Sequence, residues 1–273
     1  MVPLTGSDKS GSNLAKRALA GLLLGPPVLA VLYVGSPYSD LLIIGASGIM
    51  AWEWARLCGA GTGSPTMLVM VASVVFAAGA IALGLPGAAG WIVLVGSMSV
   101  MLTARQGQLE PFWVVAGVVV IGLSAMALIW LRAQPETGRA LVLWLVAVVW
   151  ATDTGAYFAG RSLGGPKLAP RISPKKTWSG LAGGMAAAGA VGWVASRVAL
   201  NHGAFGLAVF SMLLALVSQG GDLFESMLKR RFGAKDSGHL IPGHGGLLDR
   251  TDGLIAASLC LAAVVWLVGE ARF

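Results

Sequence analysis

Residues 111–131, PFWVVAGVVVIGLSAMALIWL, contain no charged side chain and decide the fold class of this protein. About 20 consecutive apolar residues are enough for a helix to cross the hydrocarbon core of a bilayer. Similar apolar stretches recur along the chain, and of its 273 residues 56% are hydrophobic and only 11% are charged. A soluble domain has roughly 25% charged residues, so this chain cannot cover itself with a polar surface. The sequence predicts an all-α, polytopic integral membrane protein.

The apolar runs predict about nine transmembrane helices. We expect them near residues 14–34, 38–58, 66–84, 88–104, 111–131, 139–161, 177–199, 204–224 and 252–270. We expect two regions: residues 1–138 with about five helices that face lipid or form a dimer contact, and residues 139–273 with the two longest loops, 162–176 and 225–251. This second region carries most of the polar residues.

The basic residues predict the orientation of these helices, because cytoplasmic loops carry an excess of lysine and arginine. With a cytoplasmic N-terminus, the far side of the membrane keeps only Arg132, Arg139, Arg197 and Arg272 of the 19 lysines and arginines. We therefore expect the N-terminus and both long loops to be cytoplasmic.

The acidic residues are unevenly distributed. Those of the first 140 residues, which include Glu53 and Glu110, are isolated or near predicted helix ends, so this part looks chemically quiet. The others crowd predicted cytoplasmic helix ends and loops: Asp153, Asp222, Glu225, Asp236, Asp249 and Asp252. Because charge near a bilayer is expensive, this asymmetry predicts the location of the functional site.

The spacing of these acids suggests a metal site. Asp222, Glu225, Ser226 and Lys229 share one face of a helix, and Asp249 begins a second acidic pair. Clustered carboxylates repel one another unless a cation lies between them. Their hard oxygen atoms suit Mg²⁺, which also binds substrate phosphates. The alternative is that the acids only form ion pairs with neighbouring lysines and arginines.

Asp153 directly follows an apolar run that ends at Trp150. A carboxylate at this depth must face a cavity or a charged partner. The alternative to a cavity is an ion pair with Arg161, about two helical turns further along.

Two loops have features of anion-binding sites. Lys175 and Lys176 precede Thr177 where a helix begins, and free N–H groups and the helix dipole attract phosphate there. Basic residues that only determine topology are the alternative. In the other loop, Gly245 and Gly246 follow His244, so the backbone can approach a ligand closely. A histidine that is merely solvated is the alternative here.

These stretches resemble phosphatidate cytidylyltransferases, also called CDP-diacylglycerol synthases. The resemblance rests on the C-terminal strings Ser226 to Arg230, Lys235 to Gly238 and Pro242 to Asp252. Asp153 to Arg161, Ile172 to Trp178 and Gly221 to Ser226 are also similar, so about the last 120 residues are covered. One departure is Ser179, where the family usually has glutamate.

The resemblance implies an enzyme of the bacterial inner membrane that transfers CMP from CTP to phosphatidic acid at a cytoplasmic active site. It implies Mg²⁺, with a second metal ion left open, and a homodimer; no nucleic-acid partner is expected. Metal ligands would be Asp222 and Asp249 with Asp153 nearby. These three residues with Lys229 and Arg250 would form the catalytic set. Substrates would contact Ser173, Lys175, Lys176, Thr177, Ser226, Arg230, Lys235, Asp236, His244, Gly245 and Gly246.

Three rival interpretations remain at this point. A CTP-dependent lipid or polyprenol kinase would release CDP instead of pyrophosphate. A transporter of an anionic metabolite would have its charged residues near the membrane midplane, often within repeated halves. A non-catalytic membrane scaffold would tolerate the substitution Asp249→Asn.

Overall fold

The computed structural model describes residues 25–200, 203–238, 240 and 245–269. Within these residues the chain forms nine helices and one small two-stranded sheet. The elements are α1 (Gly25–Val34), α2 (Tyr38–Leu57), α3 (Pro65–Ala82), α4 (Pro86–Gln106), α5 (Pro111–Arg132), α6 (Gly138–Leu163), β1 (Lys167–Ala169), β2 (Ser173–Thr177), α7 (Trp178–Val198), α8 (Ala204–Arg231) and α9 (Leu248–Val268).

Proline residues mark the beginnings of three helices. Pro65, Pro86 and Pro111 each occupy the first turn, where the missing N–H group costs nothing because no partner exists for it within the helix. These starts agree with the apolar runs to within a few residues. The lengths of the apolar runs and the proline positions together therefore explain where these three helices begin.

The predicted loop 225–251 is wrong at both ends. Helix α8 continues to Arg231, and α9 already begins at Leu248. The charged residues 225–231 remain helical because Lys229 forms an ion pair with Glu225 one turn earlier, and cations in the last turn are favoured by the helix dipole. Glu225, Ser226, Lys229 and Asp249 therefore lie on helices and not in a loop.

The predicted loop 162–176 also contains regular structure, since a small two-stranded hairpin is added to the helical fold that the sequence predicts. Strands β1 and β2 pair antiparallel, with Lys167 opposite Thr177 and Ala169 opposite Ser173. Gly164 and Gly165, which join α6 to this hairpin, have φ angles of 61° and 102° that favour glycine. The hairpin leads directly into α7.

Six of the described helices, α3, α4, α5, α6, α8 and α9, are long and apolar enough to cross a membrane. Helix α2 carries Asp40, Glu53 and Arg56, and α1 has ten described residues. Part of the first predicted span, residues 14–24, lies outside the described residues. The structure thus supports a multi-pass helical membrane protein, while nine spans and a cytoplasmic N-terminus stay predictions.

Two apolar clusters form the interior. One surrounds Leu145 and Leu261. The other joins Trp54 of α2 and Met70 of α3 to Leu228 of α8 and Leu248 of α9. The second cluster shows that the N-terminal region and the C-terminal region share a hydrophobic core.

Glycine allows close packing of α6 against α7. A Cβ atom at Gly155 would lie 2.7 Å from both the Cβ atom of Ala187 and the backbone oxygen of Gly183. The second of these atoms is fixed in the backbone of α7. The Cα atom of Gly155 therefore sits against a neighbour that cannot move without displacing the helix.

We expect Gly155→Ala to lower the free energy of unfolding by about 1–3 kcal/mol because the added methyl group overpacks this interface. Gly90→Ala is the matched control, since a Cβ atom at Gly90 meets nothing within 4 Å. Thermal unfolding of both variants in the same detergent measures the difference. Equal midpoints for the two variants would contradict the proposed packing constraint.

Candidate active site

A cavity of about 1240 Å³ lies between α1, α6, α7, α8 and α9 and the hairpin. Its polar wall comes from four elements that are distant in sequence. That wall includes Asp153, Arg161, Lys175, Lys176, Gln219, Asp222, Asp249, Arg250 and Asp252. The cavity thus gathers residues of four of the chain segments that the sequence singled out.

The lining of the cavity changes from polar to apolar along α6. Asp153 lies beside the charged residues, whereas Val146, seven residues earlier, lies about 10 Å deeper along the helix axis. Leu29 and Leu32 of α1 and Trp150 of α6 complete the apolar part. The cavity can therefore hold a molecule with one charged end and one hydrocarbon end.

Asp222 joins the hairpin to α8. Its Oδ2 atom lies 2.7 Å from Nζ of Lys176, the penultimate residue of β2. Its Oδ1 atom accepts a hydrogen bond of 3.3 Å from the hydroxyl of Ser226. Lys176 and Asp222 are both partly accessible, with 17% and 29% of their side chains exposed. The Nζ atom of Lys176 is itself buried, so the carboxylate of Asp222 is the more accessible of the two charges.

Lys229 joins α8 to α9. Its Nζ atom lies 2.8 Å from Oε2 of Glu225 and 2.6 Å from Oδ1 of Asp249. The exposed fractions of Lys229, Glu225 and Asp249 are only 12%, 3% and 8%. The ammonium group is thus enclosed by two carboxylates, and Lys229 does not line the cavity as the described residues define it.

Asp249 also holds the loop before α9. Its Oδ2 atom accepts hydrogen bonds from the backbone N–H groups of Ser237, at 2.9 Å, and Gly246, at 2.8 Å. Gly245 has a φ angle of 87°, and a Cβ atom there would lie 2.7 Å from Oδ2 of Asp249. The glycines therefore let the loop fold closely around this carboxylate, and their predicted contact with a substrate stays a prediction.

Asp153 and Asp252 bring two more carboxylates to the cavity. Oδ1 of Asp153 accepts a hydrogen bond of 3.3 Å from Nε2 of Gln219 on α8. Both acids interact electrostatically with Asp222, and Asp153 also interacts with Lys176 and Arg250. Of the two alternatives for Asp153, a cavity or an ion pair with Arg161, the structure has the carboxylate at the cavity. Arg161 instead donates to the hydroxyl of Tyr157 at 2.8 Å.

The remaining predicted substrate contacts are spread around this centre. Ser173 pairs with Ala169 in the hairpin, and Arg230 donates to the backbone oxygen of Ala234. Lys235 and Asp236 are exposed beyond the end of α8. His244 lies outside the described residues. Their roles in binding stay predictions.

Ser179, the departure from the family pattern, stabilises the beginning of α7. Its hydroxyl donates a short hydrogen bond to the backbone oxygen of Gly164 and lies 3.0 Å from the hydroxyl of Thr177. Thr177 accepts from the N–H group of Gly180 at 3.1 Å and caps the helix. Ser179 thus connects the beginning of α7 to the turn that follows α6.

No group of three or more histidine, cysteine, aspartate or glutamate side chains in the described ranges is arranged to hold a metal ion. Asp222 and Asp153 each have free lone pairs beyond the contacts given above. Asp249 already accepts from Lys229 and from two backbone N–H groups. The donor set fits an ion that takes one or two carboxylates together with water and phosphate oxygens, as Mg²⁺ does.

Glu53 corrects the expectation that the first 140 residues are chemically quiet. This residue of α2 is completely buried, and its carboxylate accepts from the N–H groups of Leu247 and Leu248 at 2.9 and 2.8 Å. A charged side chain within an apolar helix was the available signal. Its partners are about 195 residues away, so sequence spacing could not identify them.

We expect Lys229→Met to lower the free energy of unfolding by about 3–5 kcal/mol, because Glu225 and Asp249 are then buried without their cation. Arg231→Met is the matched control. Arg231 forms an ion pair with Glu110 in which the side chains are 48% and 52% exposed, and such exposed pairs contribute up to about 1 kcal/mol. The measurement is the thermal unfolding midpoint of Lys229→Met and of Arg231→Met in the same detergent. A smaller effect for Lys229→Met than for Arg231→Met would contradict the assigned role.

The sequence model of the Cytidylyltransferase family matches residues 15–268. A phosphatidate cytidylyltransferase of Brucella suis is 42% identical over 258 residues, which cover 94% of both chains. Proteins of the same name from Pseudomonas aeruginosa and Rickettsia conorii are 35% and 32% identical, over 94% and 93% of this chain and 98% and 92% of theirs.

The match to the family therefore includes both the helices that form the N-terminal region and the elements that surround the cavity. On this match and on identities above 30% over nearly the whole chain, the protein belongs to the Cytidylyltransferase family.

Proposed function

We propose that the protein is a phosphatidate cytidylyltransferase, which transfers the CMP moiety of CTP to phosphatidic acid and releases pyrophosphate. The observation that carries this proposal is the cavity, because charged residues of both signs lie at one end and apolar residues at the other. Its relatives bear the same name. A nucleotide and a lipid headgroup need such a charged end, and acyl chains need the apolar one.

The apolar part of the cavity would receive the lipid. Leu29 and Leu32 of α1 line this part together with Val146 and Trp150 of α6. The acyl chains are already in hydrocarbon in the bilayer, so contact with these side chains keeps them in an apolar environment and contributes packing, without the gain of leaving water. The phosphate group of the lipid is then directed towards Asp153 and the basic residues.

The basic residues would align the two phosphate groups. Lys175, Lys176 and Arg250 line the cavity, and their charges would neutralise the anionic groups that must approach each other. A phosphate oxygen of phosphatidic acid forms the new bond to the α-phosphorus of CTP, and the bond from that phosphorus to the pyrophosphate oxygen breaks. The attacking phosphate is already deprotonated near neutral pH, so no general base is required.

The acidic residues would hold Mg²⁺, which supplies positive charge to the phosphates during such transfers. Asp222, with Asp153 nearby, has open lone pairs on the cavity side. Asp249 would join as a ligand when one of its two backbone contacts is released. Lys176 and Lys229 form ion pairs with Asp222 and Asp249 and thereby hold the two carboxylates in place.

The charge distribution around the cavity supports a proposal for the location of the protein. We infer an inner-membrane protein whose cavity opens to the cytoplasm, since most lysines and arginines belong to the helix ends and loops around it. CTP is a cytoplasmic nucleotide, and the lipid is in the bilayer. A homodimer stays a prediction from the family resemblance.

Product analysis tests the reaction. Purified protein in detergent, given phosphatidic acid, Mg²⁺ and CTP labelled in the cytosine ring, should transfer the label to lipid and release pyrophosphate. A kinase would leave the label in free CDP and phosphorylate the lipid, and this result would refute the proposal.

We expect Asp222→Asn to reduce turnover by at least about a hundredfold, because the variant loses a carboxylate that would hold Mg²⁺, and removal of one group that stabilises transition-state charge has effects of this size. The helix should stay folded, since the amide still accepts from Ser226. Glu110→Gln is the control and should retain normal turnover. The measurement is initial rate at saturating CTP, together with the unfolding temperature of each variant.

A further inference from the structure

We propose that Glu53 is a positioning residue for the reaction: its buried carboxylate, on α2 in the N-terminal region, sets the position of Asp249 and Arg250 at the beginning of α9. This inference rests on the proposed function for its kinetic consequences. The contact itself is a property of the fold and can be tested without any substrate.

The contact is a helix cap supplied by a distant side chain. The N–H groups at the beginning of a helix have no partner within the helix. Leu247, the residue before α9, offers no side-chain cap. Oε1 of Glu53 accepts from the N–H group of Leu247 and Oε2 from that of Leu248, at 2.9 and 2.8 Å. Glu53 therefore satisfies two donors that would otherwise be buried without partners.

The charge of Glu53 strengthens this cap. A negative group is favoured at the N-terminal end of a helix dipole, and hydrogen bonds from N–H groups to carboxylate are stronger than those between neutral groups. No lysine or arginine in the described ranges forms an ion pair with Glu53. The completely buried carboxylate is therefore stabilised by the helix start and by the hydroxyl of Ser237 at 3.4 Å.

Two glycines show that little space surrounds this carboxylate. A Cβ atom at Gly238 would lie 2.8 Å from Oε1 of Glu53, and a Cβ atom at Gly246 would lie 2.6 Å from the same atom. Both glycines belong to the segment between α8 and α9. The backbone at Gly238 and at Gly246 therefore packs directly against the carboxylate of Glu53.

The residues next to this cap are those proposed to act in catalysis. Asp249 and Arg250 follow Leu248 directly, and both line the cavity. Asp249 accepts from the N–H group of Ser237, while Glu53 accepts from the hydroxyl of the same residue. Asp249 and Glu53 therefore both bind Ser237, in the segment between α8 and α9. A displacement of the Glu53 carboxylate should consequently displace Asp249.

Glu53 does not line the cavity as the described residues define it. Its effect must therefore pass through the start of α9 and not through contact with a substrate. A misplacement of about 1 Å at reacting groups can reduce a rate by about a hundredfold. We therefore expect substitution of Glu53 to lower kcat and to change substrate binding little.

Glu53→Gln is the test variant. Glutamine has one acceptor oxygen, so its NH2 group would face either the N–H group of Leu247 or that of Leu248, and the capping charge is lost. We expect kcat to fall at least about tenfold, while KM for CTP and for phosphatidic acid changes less than about threefold. Glu110→Gln is the matched control, because it makes the same chemical change at a glutamate whose contact is with Arg231 of α8. This variant should have the kcat and KM of the wild-type protein.

Hydrogen exchange observes the contact directly. In Glu53→Gln the amides of residues 247 and 248 should exchange at least about tenfold faster than in the wild-type protein, with exchange in α3 and α5 unchanged. Unchanged kcat would overturn the proposal. Loss of activity together with faster exchange throughout α3 and α5 would also overturn it, because Glu53 would then support the fold in general.

The proposed reaction and the proposed helix cap can be refuted separately. If the wild-type protein makes no lipid-linked cytidine, the proposed function is wrong, whereas exchange at residues 247 and 248 still reports on the cap. If Glu53→Gln does not yield monodisperse protein, Gly238→Ala replaces it, since the added methyl group pushes Oε1 of Glu53. A fall in kcat of at least about threefold without a change in KM supports the proposal, and unchanged kcat overturns it.

Discussion

One buried ammonium group determines how the two charged helix ends meet. Lys229 lies between Glu225 on its own helix and Asp249 on α9. Each of these charges would be costly alone at low exposure, and the triad removes most of that cost by mutual pairing. Because the ammonium group has two partners on different helices, α8 and α9 are fixed relative to each other, and the cavity wall that both helices form keeps its shape.

The cavity follows from this arrangement and from the hairpin. Lys176 brings β2 to Asp222 on α8, and Gln219 on the same helix reaches Asp153 of α6. Each contact joins a polar residue at a helix boundary to another element, so the charged groups collect at one end of the apolar wall. That juxtaposition allows a hydrocarbon chain and a phosphate group to be bound together, which is what transfer of a nucleotide to a lipid requires.

Glu53 gives the N-terminal region a share in this site. The region matches the family as part of residues 15–268, yet it provides little of the polar wall. It contributes instead by holding the beginning of α9 through two backbone N–H groups. A hydrophobic cluster around Trp54 and Leu248 accompanies the contact. The helices before residue 139 therefore support the catalytic residues and also provide apolar surface.

The sequence by itself determined the membrane class, the approximate helix positions and the chemically important stretches, because apolar length and charge are local properties. It identified Asp153, Asp222, Asp249 and Arg250, which indeed line one cavity. Only the tertiary structure decided that Lys229 is enclosed by carboxylates and that Glu53 caps α9. Such pairings join residues far apart in the chain, and their energies depend on burial and on the directions of helices, which no local pattern contains.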